Sequence, residues 1–224
     1  MSEPVVDHGR VEVERRRRAG RMASGGAIRD AATALFLEKG YTLTSMDDIA
    51  EAAQVSKQTI YTHFANKEEL FAELVLSNAE TAERFVVMIG PTLENAANDL
   101  ESALRQLARE YLRLVMQPQV LRMRRLVLGE VRRFPKLART YYERVPGRVY
   151  EALSAVFKRL ADEGRLQIDD PMLAAHHFAW LTLGIPLDRG MFYPIQDVVP
   201  DEEIERVAHS AVRVFLAAYG ALRI

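Results

Sequence analysis

The sequence contains no cysteine, which removes disulfide bridges, thiolate zinc sites and a thiol nucleophile in one step. It has no run of the ~18 uncharged apolar residues that a membrane span requires. Its start is polar and arginine-rich rather than apolar, so no secretory leader is expected. The reading is of a cytoplasmic protein with no membrane partner. Charge of one sign is not in excess: 30 Lys and Arg stand against 31 Asp and Glu. The total therefore argues neither for nor against nucleic acid, and the placement of the charges has to decide. Phosphate-cradling glycine loops, HExxH and GxSxG are absent, and with them the common signatures of an enzyme. No stretch alternates apolar and polar residues for long enough to suggest a strand.

What is present is helical. From Ser24 to Lys39 the residues Ile28, Ala31, Ala32, Leu35 and Phe36 recur at helical spacing, and Gly40 follows as a stop. Thr44 with Asp47, or Ser45 with Asp48, makes a capping box for a second helix through Ile49, Ala50, Ala52 and Ala53. After only Gln54 and Val55, Ser56 can cap a third helix from Lys57 to Phe64. Ala65-Asn66 then precedes a fourth helix beginning at Lys67. Beyond it the chain stays helical, with breaks expected at Gly90-Pro91, Pro118, Pro135, Pro146, Gly164, Pro171, Pro186 and Pro194. About nine helices result. The fold class is all-α: an N-terminal three-helix unit with a helix-turn-helix, over residues 23–67, and a larger C-terminal helical domain, over residues 68–224. Residues 1–22, with Arg15 to Arg18 and Arg21, read as a flexible basic arm diluted by Glu12 and Glu14.

Two short helices at a tight turn make a helix-turn-helix, in which the first supports and the second reads DNA. At 100° per residue, positions 57, 58, 61 and 62 share one arc of the second helix, and the bulky Ile60 and Phe64 fall opposite. Lys57 can donate to guanine O6 and N7, Gln58 can pair with adenine, and the Thr62 methyl can meet a thymine methyl. Thr59, Tyr61 and His63 can donate to phosphates, and Lys67 adds charge at the start of the next helix. No acidic residue occurs from Gln54 through Asn66.

The run Phe36-x-x-x-Gly40-Tyr41, Thr44-Ser45, Asp48-Ile49-Ala50, Ala53, Val55-Ser56, Thr59-Ile60-Tyr61, His63-Phe64 and Lys67-Glu68-Glu69-Leu70 resembles the DNA-binding domain of the TetR family of transcription regulators. The resemblance implies DNA contacts at Lys57, Gln58, Thr59, Tyr61, Thr62, His63 and Lys67, and a phosphate contact at Thr44 or Ser45. One position departs from the pattern. Gln54 stands where the family has glycine, so it is expected to take a left-handed conformation at a cost of roughly 1 kcal/mol.

The segment from Arg122 and Arg125 through Glu130, Arg132, Arg133 and Pro135, with Leu153, Leu160, Gly164 and Leu166 behind it, resembles the effector domain of the AefR-like branch of these regulators. That resemblance implies an internal cavity and two final helices, about 171–185 and 201–221, that pair with a second copy. Two apolar stripes agree: Ala174, Ala175, Phe178, Leu181 and Thr182, then Val207, Ala211, Val214, Phe215, Ala218 and Leu222. Tyr111, Met116, Met123, Tyr141, Tyr142, Trp180 and Phe192 are the large, adaptable groups that line apolar pockets. Arg122, Arg125 or His177 could supply a polar handle, and a buried arginine would call for an acidic ligand. His176 and His177 project about 100° apart on a helix and cannot chelate one ion, so no metal and no cofactor is expected. The sequence therefore reads as a ligand-responsive homodimeric repressor, released from a palindromic double-stranded operator by a small, mostly apolar effector. A helix-turn-helix protein that answers to a protein partner is the alternative, and a helical enzyme stands third.

Overall fold

The computed structural model describes residues 8–77, 79–94, 99–193 and 199–221, with side chains from residue 20 onward, Glu94 apart. The chain divides into two compact units, Met1–Leu74 and Val75–Ile224.

The first unit comprises α1 (His8–Leu43), α2 (Met46–Ala52), α3 (Lys57–His63) and the start of α4 (Lys67–Ser77). Helix α1 reaches back to His8, where the sequence suggested a flexible arm through residue 22. Arginine and glutamate both favour helix, so a polar segment without an apolar stripe can still extend one. At its other end α1 breaks at Gly40 (φ 79°, ψ 169°), a conformation open mainly to glycine. The break turns Tyr41 back to stack on Phe36 at 5.7 Å, and Phe71 of α4 meets both rings, at 5.4 and 4.8 Å. All three rings are fully buried, worth about 1.5–3 kcal/mol each. They explain why the first unit extends through Leu74 rather than stopping at residue 67.

The second unit contains α5 (Ala79–Glu94), α6 (Leu100–Val115), α7 (Pro118–Gly129), α8 (Pro135–Tyr142), a π-helical turn (Glu143–Gly147), α9 (Arg148–Asp162), α10 (Pro171–Phe192) and α11 (Asp201–Tyr219). Eleven α-helices are thus present among the described residues, where about nine were expected. Pro118, Pro135 and Pro171 open α7, α8 and α10, the position where a missing N–H is harmless. Three expected breaks do not occur: at Pro146 the chain passes from α8 to α9 through the π-helical turn without leaving helix, and two more follow. Helix α5 runs through Gly90-Pro91, because Pro91 lies in its last turn on the exposed side and forfeits a single backbone bond. Helix α10 runs through Pro186 to Phe192, beyond the expected end at 185, with Pro186 buried by its packing. Pro194 lies outside the described residues.

Helix α6 forms the middle of this unit and buries Leu104, Leu107, Ala108, Tyr111 and Leu112 against α5, α10 and α11. Phe157 of α9, Phe178 of α10 and Phe215 of α11 lie within 5.1–5.6 Å of one another, and mutual edge and tilted contacts of this kind add to simple burial. Gly164 takes φ 71° after α9, and Gln167 N–H then donates to Tyr219 C=O at 2.8 Å, tying that loop to the end of α11. Among the described residues no helix is long and apolar enough to cross a membrane.

Candidate DNA-reading surface and effector cavity

The local chemistry of α2 and α3 places their side chains. Of the two capping boxes open at the start of α2, Ser45 with Asp48 forms. Ser45 Oγ accepts from Asp48 N–H at 3.0 Å, and Asp48 Oδ2 accepts from Ser45 N–H at 2.8 Å. The Ser45 hydroxyl and amide hold the Asp48 carboxyl below its ordinary value. Ser56 caps α3 by accepting from Thr59 N–H at 3.1 Å. Asn66 Oδ1 does the same for Glu69 N–H at 2.8 Å, and Glu69 accepts in return from Ala65 N–H at 2.7 Å. Such caps contribute about 1 kcal/mol each and set where each short helix begins.

Between α2 and α3, Gln54 is the one non-glycine residue with positive φ among the described residues, at 54°. Its side chain is exposed, so nothing in the packing requires it. Replacing Gln54 by Gly is therefore expected to relieve up to about 1 kcal/mol of strain and raise the melting temperature by about 2–4 °C. Calorimetry decides it; a variant that melts lower would show that a glutamine contact outweighs the backbone cost.

Helix α3 buries Ile60 and Phe64 and leaves Lys57, Gln58, Tyr61 and Thr62 exposed. The Thr62 hydroxyl donates to Gln58 C=O at 2.8 Å, so its methyl is the group left to project. Lys57 Nζ donates to Asp47 Oδ2 at 2.5 Å, and that hydrogen bond raises the lysine's proton affinity. Both partners are well exposed, so the pair exchanges for a better partner at little cost. Thr59 is half-buried, its hydroxyl 2.8 Å from Ser56 Oγ.

Three residues expected at phosphates are engaged within the protein in this structure. Thr44 is buried, and its hydroxyl donates to Gly40 C=O at 2.9 Å, closing the broken end of α1. Ser45, the other candidate, remains exposed at the start of α2. His63 turns inward: its Nε2 lies 2.9 Å from Ser24 Oγ, and a Cβ at Gly25 would come within 3.3 Å of its ring. Lys67 Nζ donates to Thr44 C=O at 2.7 Å and Tyr41 C=O at 2.9 Å, and sits 4.3 Å over the Tyr41 ring. Its ammonium satisfies carbonyls orphaned by the break at Gly40, which is where backbone acceptors most need a donor.

In the second unit Tyr111, Tyr141 and Arg124 line a cavity with Leu114, Val120 and Val149. It leaves about 30 Å³ for its contents, room for water and not for an organic molecule. Part of the wall is the π-helical turn, through Val145 and Pro146. Of the residues expected to line a pocket, Tyr111 and Tyr141 do. Met116 and Met123 are buried elsewhere, and Arg122, Tyr142 and Phe192 are exposed. Arg125 is spent on backbone, donating to Gly190 C=O through Nε at 3.0 Å and to Tyr193 C=O. The arginine in the wall is Arg124, which the sequence reading passed over. It stands three residues from both Leu121 and Val127, and the burial of those two side chains is what turns it toward the cavity.

His177 and Trp180 belong to a different feature. They line an open apolar groove with Leu181, Val214, Ala218 and Tyr219, where α10 and α11 face outward. Trp180 is 54% exposed and Ile185 72%. The adjacent histidines diverge as their spacing requires: the His176 ring lies tilted against Tyr150, centroids 4.4 Å apart, and His177 Nδ1 lies 2.6 Å from Tyr219 Oη.

Comparison with known proteins agrees with this architecture. Residues 28–74 match the family described as bacterial regulatory proteins, tetR family. Residues 102–221 match the AefR-like transcriptional repressor C-terminal domain. A TetR-family transcriptional regulator from Mesorhizobium loti shares 37% identity with a TM-score of 0.77, covering 89% of this chain and 98% of that one. The flavonoid-responsive regulator FrrA shares 34% identity with a TM-score of 0.70, over 88% and 97% of the two chains. The HTH-type transcriptional regulator YhgD of Bacillus subtilis is 55% identical over 47 residues, 21% of this chain and only 25% of its own length. The N-terminal helices with their capped turn, the helical unit behind them and these matches together place the chain in the TetR family of DNA-binding transcriptional regulators, in the branch with an AefR-like C-terminal domain.

Proposed function

We propose that the protein is a repressor that binds an inverted-repeat operator as a homodimer and leaves it when a small, mostly apolar ligand enters the second unit. The observation that carries the reading is the arc of Lys57, Gln58, Tyr61 and Thr62, exposed on α3 while Ile60 and Phe64 anchor the opposite side. Lys57 and Gln58 carry the donors and acceptors that read base edges in a major groove. The exposed Tyr61 hydroxyl is the group we assign to the DNA backbone, with Ser45 and Thr59 as further candidates whose hydroxyls would first give up their bonds to Asp48 and Ser56. The outward groove on α10 and α11 is the surface for a second copy, whose two-fold symmetry an inverted repeat would mirror.

The cavity is small as it stands, so a ligand has to move a wall. The π-helical turn is the wall segment we expect to give way, since such single turns interrupt the regular α-helical bonding and are frequent at functional sites. A ligand that favours an opened state in which the two recognition helices are wrongly spaced weakens DNA binding by linkage. FrrA is named for responding to flavonoids, and flat aromatic compounds are the first class to try here. The tightness of the cavity also supports the alternative, a domain that answers to a protein partner.

The test is binding to promoter DNA with and without such compounds. Footprinting is expected to show two related half-sites, and at least one flat aromatic compound is expected to raise the melting temperature while lowering DNA affinity. A single asymmetric half-site that sufficed for full affinity would refute the operator symmetry. A broad screen without any ligand would move the weight to the partner-protein reading.

A further inference from the structure

We infer that the cavity selects ligands bearing one acidic group, and that Arg124 is the residue that selects them; the inference rests on reading the cavity as the effector site. Most of the wall is apolar, with Leu114, Val115, Val120, Val145 and Val149 facing the space. One fixed positive charge stands in it. Arg124 is half-buried: its Nε is enclosed without a hydrogen-bond partner, and its side chain hydrogen-bonds the Tyr141 hydroxyl, a neutral partner. The ion pairs found among the described residues of α6 to α9 use Arg105, Arg109, Arg113, Arg148 and Lys158, and leave Arg124 aside.

The groups nearest to this arginine do not neutralise it. Burial raises the proton affinity of the Tyr111, Tyr141 and Tyr150 phenols, each partly offset by Arg124. They remain neutral hydroxyls that can each donate one hydrogen bond. Tyr111 is held in place by stacking on Phe85, ring centroids 4.7 Å apart. A half-buried guanidinium without a counter-ion leaves its charge open to an anionic partner, and a ligand that closed the remaining access to water would have to supply one. Its planar fork is built to take two oxygens of one carboxylate. The matching ligand has a flat apolar body against the valines and a single carboxylate or acidic phenol at Arg124, with the Tyr111 and Tyr141 hydroxyls beside it.

The experiment uses the full chain and pairs of compounds that differ only in charge. Benzoate, cinnamate and 2-naphthoate are each titrated beside the corresponding amide, and 4-nitrophenolate beside 4-nitroanisole, by calorimetry and thermal shift. Acids are expected to bind at least about tenfold more tightly than their neutral partners. The carboxylate and phenolate arms show which acidic group is preferred. Arg124→Met is expected to abolish the preference while still binding the amides, and Arg124→Lys to keep part of it. Arg125→Met, which alters a neighbouring arginine committed to backbone, is expected to retain the preference. Amides and acids that bind the wild type equally would overturn the role of Arg124 and leave the effector site standing. No binding by any compound of either kind would overturn both. Should Arg124→Met fail to fold, Arg124→Gln carries the same comparison.

Discussion

Trp180→Asp combined with Val214→Asp is expected to give a folded monomer that binds operator at least about a hundredfold more weakly than the wild type. Both side chains are about half exposed and line the outward groove on α10 and α11. A carboxylate there remains hydrated in the free chain and so spares the fold. In a dimer it would be forced into an apolar interface without a partner, which is strongly unfavourable. A monomer engages one half-site at a time and loses the gain from linked binding, commonly 10²–10⁴ by estimates of roughly this kind. Light scattering reads the mass, circular dichroism the fold and fluorescence anisotropy the affinity. A variant that stayed dimeric, or a wild type that was monomeric at micromolar concentration, would show that this face has another role. Phe215, next to Val214 in sequence, is unsuitable for the same test. It is fully buried against Phe157 and Phe178, and a charge there would unfold the unit rather than part the dimer.

Gln58→Ala and Lys67→Met are expected to weaken DNA binding in two distinguishable ways. Gln58 is exposed on the reading arc and carries an amide that can make two hydrogen bonds to one adenine. Its truncation is expected to cost about 1–3 kcal/mol at the cognate operator and to relax preference at one base position in each half-site. Lys67 is engaged with the carbonyls of Tyr41 and Thr44 and with the Tyr41 ring. Its removal is expected to lower the melting temperature and to weaken every sequence equally. The slope of affinity against salt should barely change, because the lost ammonium was bonded to protein rather than phosphate. A lysine that did reach phosphate would instead make the slope shallower by about one. Binding to single-base operator variants at several salt concentrations separates these cases. Uniform loss from Gln58→Ala, with loss at one base from Lys67→Met, would mean that α3 enters the groove in a different orientation.

The caps and breaks near the N-terminus were legible because each is a contact between residues at most a few positions apart. Ser56 with Thr59 and the stop at Gly40 follow from backbone chemistry that any surroundings would leave intact, whereas the left-handed Gln54 was legible only through the resemblance that puts a glycine there. The arc of α3 was legible for a similar reason: Ile60 and Phe64 are large and apolar, so the opposite side had to face out. The contacts that sequence did not reveal are those between residues far apart along the chain. Thr44, His63 and Lys67 carry donors suited equally to phosphate and to protein, and only the packing of α1 and α4 shows which they meet. Lys57 is similar. The stretch around it lacks acid, yet folding brings Asp47 against its ammonium.

The sequence by itself determined an all-helical chain, the helix-turn-helix and the exposed arc of its second helix, because periodicity and capping are local and repeat with a fixed angle per residue. Only the tertiary structure decided which arginine of Arg122, Arg124 and Arg125 faces the cavity. Three arginines within one turn differ in nothing but azimuth, and that azimuth acquires meaning only when neighbouring helices take up their places. The same holds for α10 and α11. Their apolar residues cover more than one face, and the packing of α6 and α9 decided that Phe178 and Phe215 fill the core while Trp180 and Val214 are left for another surface to cover.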